Sequence, residues 1–70
     1  SYAISNQDAL SSYAASEKAV LIGDLENTYR YIVKAEKGIE RGSPIWLRLQ
    51  DIKMLANEIK TKRERNKRYQ

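Results

Sequence analysis

Six cations stand within nine residues near the end of this chain: Lys60, Lys62, Arg63, Arg65, Lys67 and Arg68, opposed only by Glu64. A run of this density attracts anions and has no covalent chemistry of its own. Its natural counterparts are phosphate backbones, anionic membrane surfaces and acidic protein partners, and it can also serve solubility alone. Residues 1–59 hold seven Lys and Arg against eight Asp and Glu, whereas residues 60–70 hold six against one. The net charge of +4 is therefore concentrated in one short arm. Nucleic acid is the favoured partner, ahead of a solubilising or protein-binding role and then a membrane surface.

Other chemistry is sparse. With neither Cys nor His in the 70 residues, the usual general base, the thiol nucleophile and most transition-metal ligands are missing. This argues against an enzyme, and no cofactor or metal is called for. Asp51 and Glu58 read as solvated charge on the polar side of a helix. Tyr13, Tyr29 and Tyr31 have faces on which bases can stack, but their helical spacing favours the edge of a small core, with the hydroxyls in water. Trp46 sits too near a helix start to be deep in a small bundle. Interfaces are enriched in Trp, and a subunit contact is one of its two natural uses.

The element that must position the cations is the stretch from Ser43. Ser43 is an N-cap type and Pro44 suits the first helical position, where no amide hydrogen is needed. Ile45, Leu49, Ile52, Ala56 and Ile59 then recur at three- and four-residue steps, with Leu55 on the flank, and define one buried face. Leu47 and Met54 fall on nearly the opposite side. They are either isolated exposed apolar residues or, as favoured, a second contact surface. Trp46, Leu47 and Met54 are accordingly the expected dimerisation residues.

Earlier in the chain, Ser5 and Asp8 approximate a capping box, and Ile4 is placed to staple onto Ala9. Helix 1 is expected over 6–22, with Leu10, Tyr13, Ala14, Glu17 and Leu21 inside and Ser11, Ser12, Ser16 and Lys18 mostly outside. Gly23 with Asp24 reads as a corner. The rival is one long helix through Gly23, at a cost of about 1 kcal/mol relative to Ala. Helix 2 is expected over 24–39, with Leu25, Tyr29, Ile32 and Ile39 inward and Glu26 spaced to pair with Arg30. The stretch GIERGS turns the chain into helix 3, expected over 44–62, and like-charge repulsion should fray the end, where only Tyr69 is apolar.

No stretch alternates with the period of a strand, so the fold class is all-α: a small three-helix domain over 1–61 with a basic tail over 62–70. A chain this short buries a small share of its surface, and a partner subunit would help its stability. The longest apolar run, Ala19 to Ile22, is far below the roughly 20 residues that span a bilayer, so this piece is expected to be soluble. A start at Ser1 instead of Met suggests a processed or excised segment.

A third helix that begins near a Trp and ends in KRERNKR resembles a distant homeodomain relative. Trp46 is followed here by Leu47, Arg48 and Leu49, without the base-reading Asn of that family, and such apolar positions suit association. The combination is similar to the C-terminal functional domain of the membrane-anchored DNA-replication organiser of small Bacillus phages. That resemblance implies a homeodomain-like symmetric dimer of six helices that binds single- or double-stranded DNA with little sequence preference. It further implies self-association beyond the dimer, a DNA-linked terminal protein as a partner, and a membrane anchor upstream of Ser1 that holds the domain at the cytoplasmic face of the host membrane. The DNA-contacting role falls on the six cations named above.

Overall fold

The computed structural model describes residues 6–68 and shows three helices: α1 (Asn6–Leu21), α2 (Leu25–Glu36) and α3 (Pro44–Arg68). The expected pairings of Ser5 with Asp8 and of Ile4 with Ala9, and the role given to Tyr69, lie outside the described residues. Four polar contacts set the direction of α3. Glu36 meets Gln50 and Lys53, Tyr29 meets Asn57, and Gly23 meets Arg63, so α3 runs back along α2.

The break at Gly23 is real. Gly23 has φ +80°, its N–H donates to the Val20 carbonyl at 3.2 Å, and the Asp24 N–H donates to the Ala19 carbonyl at 2.9 Å. This pair of bonds closes α1 in a Schellman arrangement, which needs a left-handed residue just past the helix. Asp24 then caps α2: its Oδ1 accepts from the Asn27 N–H at 3.3 Å, and its carbonyl accepts from the buried Thr28 hydroxyl at 2.6 Å. At the second turn Gly42 has φ +86°, and the Ser43 hydroxyl accepts from the Trp46 N–H at 3.2 Å. Ser43 and Pro44 therefore start α3 as the sequence predicts.

The core consists of Val20, Ile32, Ala35, Leu49, Ile52 and Ala56, with Tyr13, Leu25, Tyr29, Ile39 and Ile59 packed around it. For α3 these are four of the five stripe residues expected; Ile45 is half-buried and absent from this core, and the flanking Leu55 is 41% exposed. For α1 the expected face is wrong by about one residue: Ala9, Ser16, Ala19 and Val20 are buried, while Ala14 and Glu17 are exposed, Leu10 is 43% exposed and Leu21 is 77% exposed. The inner face of α1 is made largely of small side chains, which allow two helices to approach closely. Ser16 tolerates burial because its hydroxyl donates to the Tyr13 carbonyl of its own helix at 2.7 Å, so no polar group goes unmet.

Two helix ends also differ from expectation. Helix α2 stops at Glu36 instead of 39, tightened by a Gly38 N–H to Ala35 carbonyl bond at 3.1 Å, and Ile39 reaches the core from the turn. Helix α3 does not stop near 62 but continues to Arg68. Lys, Arg and Glu are good helix formers, and cations at the C-terminal end complement the helix dipole. Those two effects outweigh the mutual repulsion from which the early end was inferred.

Candidate functional site

Helix α3 has 25 residues and is about 37 Å long at 1.5 Å per residue, in a molecule that measures 49 × 20 × 19 Å. Its first two-thirds lie on the core and its last third is the basic arm. Ile59 is the last residue of α3 that packs on the core, and residues 60–67 are all exposed. Lys60, Lys62, Arg65 and Lys67 are thus carried on a continuous helix, and among the described residues they make no hydrogen bond or ion pair. The Arg68 side chain lies outside the described residues.

Arg63 is placed differently from its neighbours. Its Nη2 donates to the Gly23 carbonyl oxygen at 2.8 Å, across 40 positions of sequence. The sequence treats Arg63 as one cation of six, but a signal for its difference is present. Leu49, Ile52, Ala56, Ile59 and Arg63 continue one series of three- and four-residue steps, so Arg63 is the next member of the buried stripe.

The outer side of α3 carries Leu47, 54% exposed, and Met54, 61% exposed. Trp46 is half-buried. The three residues named for dimerisation are therefore not all on one open surface: Leu47 and Met54 are free, and Trp46 lies between them and the body. Asp51 and Glu58 are exposed, as expected.

Tyr13, Tyr29 and Tyr31 are half-buried, which fits the core-edge reading, but the hydroxyls of Tyr13 and Tyr29 have protein partners where water was expected. The Tyr29 hydroxyl donates to Asn57 Oδ1 and ties α2 to α3. The Tyr13 hydroxyl donates to Glu17 Oε2 at 3.2 Å. Its interaction with the Arg48 guanidinium, supported more weakly by Glu17, raises the Arg48 pKa. Lys34 stands over the Tyr31 ring at 5.8 Å. The predicted Glu26–Arg30 pair is present at 3.4 Å, with both partners largely exposed, and pairs of this kind contribute little to stability.

At the opposite end of the bundle from Arg63, Glu36 accepts from Gln50 Nε2 at 2.9 Å and from Lys53 Nζ at 3.2 Å. The Gln50 hydrogen bond, with help from Lys53 and against partial burial, holds the Glu36 carboxyl below the usual carboxylate range. Near this end, Leu10, Ile39, Pro44 and Ile45 line an apolar groove of about 470 Å³. Among the described residues no helix is long and apolar enough to cross a membrane, and no acidic cluster has the makings of a metal site. No protein-family model, curated protein or solved structure matches this chain.

Proposed function

We propose that this chain is a DNA-binding module, not a catalyst, and that it grips phosphates with little regard to base sequence. The reading rests on one observation: the basic arm is a helical continuation of α3, with Lys60, Lys62, Arg65 and Lys67 exposed on it, while the rest of the chain is close to neutral. Each duplex phosphate neutralised releases condensed counterions and contributes about 0.9 to the slope of log affinity against log salt. With the Arg63 guanidinium engaged at Gly23, four or five contacts per arm give a slope of about −4 to −5, and up to twice that if two arms reach one duplex. Single strands give a shallower slope per contact. With no adenine-reading Asn beside Trp46, scrambled duplexes of equal length should bind within a few-fold of one another.

The test is a titration of the whole chain with random-sequence duplex DNA, RNA and anionic vesicles over a range of salt. It is repeated with Lys62, Arg65, Lys67 and Arg68 all changed to Gln. The expected result is duplex binding whose slope flattens in the variant while the fold is retained. Unchanged affinity and slope would make the arm a solubility device, and preference for vesicles would make it a membrane contact.

A second part of the reading is a homodimer through the outer side of α3, favoured by the exposure of Leu47 and Met54 on one helix. Replacing both with Ser should weaken association more than it unfolds the protomer. A compact monomer at high micromolar concentration in sedimentation would remove the dimer and favour an adaptor that docks α3 on another protein. The phage-replication setting, with its terminal-protein partner and upstream anchor at the host membrane, is proposed on the resemblance alone.

A further inference from the structure

The buried stripe of α3 outlasts its apolar residues. Leu49, Ile52 and Ala56 are buried and Ile59 is half-buried, and the next position in the series is Arg63. Arg63 itself is exposed, yet its Nη2 turns back to meet the Gly23 carbonyl at 2.8 Å. The α1–α2 corner answers the carbonyls of Ala19 and Val20 from within. It leaves the Gly23 carbonyl to α3. A Cβ at position 23 would stand 2.7 Å from Arg63 Nη2, so a side chain there would force the end of the guanidinium to shift, besides straining the left-handed turn.

We infer that Arg63 is a positioning residue: it latches the basic arm to the α1–α2 corner and is not itself a phosphate ligand. The role in DNA binding rests on the reading proposed above; the latch does not. An isolated nine-residue helix that carries six cations is marginal in water. With Arg63 tied down, only the last five residues of α3 extend past an anchor. The exposed cations are then held in one geometry before DNA arrives, which lowers the ordering cost of binding. Removing the Arg63 guanidinium should weaken binding without changing how many counterions are released.

The experiment compares Arg63→Gln, Gly23→Ala and Arg65→Gln in the full chain, by amide hydrogen exchange and by duplex titration against salt. Arg63→Gln and Gly23→Ala should each speed exchange over residues 62–68 by about fivefold, the scale of one net hydrogen bond. Arg65→Gln should leave exchange unchanged. In the titrations Arg65→Gln should reduce the slope by about 0.9 per arm, whereas Arg63→Gln should lower affinity at every salt concentration and keep the wild-type slope. A slope reduction in Arg63→Gln equal to that in Arg65→Gln would make Arg63 a phosphate ligand and overturn the proposal. So would unchanged exchange in both Arg63→Gln and Gly23→Ala. If the wild-type chain binds no duplex, the positioning role falls with the DNA reading, and exchange alone still decides whether the contact holds the arm.

Discussion

Gly23 and Gly42 take nearly the same backbone conformation, φ +80° and +86°, at the two turns of the bundle. Their surroundings differ. A Cβ at Gly42 would meet nothing within 4 Å, whereas at Gly23 it would run into the Arg63 guanidinium. One turn therefore needs glycine for its backbone alone, and the other needs it also for a contact made from the far end of the chain. Similar local geometry thus has unequal long-range consequences, and substitutions at the two sites separate backbone strain from the loss of a tertiary contact.

The most severe way to break the comparison is to remove the core that supports both turns. Leu49 is fully buried in the middle of it, so Leu49→Ala should cost roughly 2–5 kcal/mol. Denaturant unfolding would check this, and in a domain this small the variant is expected to be largely unfolded. Next comes the pair of glycines. Gly42→Ala should cost about 1 kcal/mol for a left-handed alanine. Gly23→Ala should cost about 2 kcal/mol, because the Arg63 contact is lost as well. Equal losses in parallel denaturant melts would show that the contact adds nothing.

The caps offer a smaller test. Asp24→Ala and Ser43→Ala each remove the side-chain acceptor at a helix start and should each cost about 1 kcal/mol. Only Asp24→Ala should loosen the neighbouring Arg63 contact, as seen by exchange in the arm. The smallest effect distinguishes the two ends by pH. The Glu36 carboxyl is held below its usual range in the folded state, so its contribution is present above the unfolded carboxylate pKa of about 4.3 and is lost as pH falls through the lower folded value. As pH falls through the carboxylate range, protection of the amides near Glu36, Gln50 and Lys53, measured relative to their intrinsic exchange rates, should fall, and Glu36→Gln should abolish that dependence. The Arg63 to Gly23 contact contains no carboxylate.

Much of this was legible in the sequence where residue type and position agree. Gly23 with Asp24, and Gly42 with Ser43 and Pro44, mark helix ends by backbone freedom and capping chemistry, and both marks hold. The α3 stripe is legible because its members are large and apolar. Helix α1 is not legible in the same way. Apart from Tyr13 and Val20, its inner side is alanine and serine, whose burial follows from close approach, while its bulky Leu10 and Leu21 are exposed. Reading by hydrophobicity alone favours the bulky set. Arg63 was hidden for a related reason: as a charge it belongs to the arm, and as a position it belongs to the core stripe. Composition shows the first, and the spacing of the stripe carries the second.

The half-buried Trp46 is the sole tryptophan in the chain, and it lies 17 residues before Arg63, on the order of 25 Å away along the helix. Its fluorescence is consequently a built-in reporter of one end of α3. Emission that shifts as protein concentration rises would report association near the start of that helix. Quenching on adding DNA at fixed protein concentration would require nucleic acid to reach far beyond the cationic arm. The native chain, without a dye attached, can therefore distinguish its two proposed encounters by the position of its own chromophore.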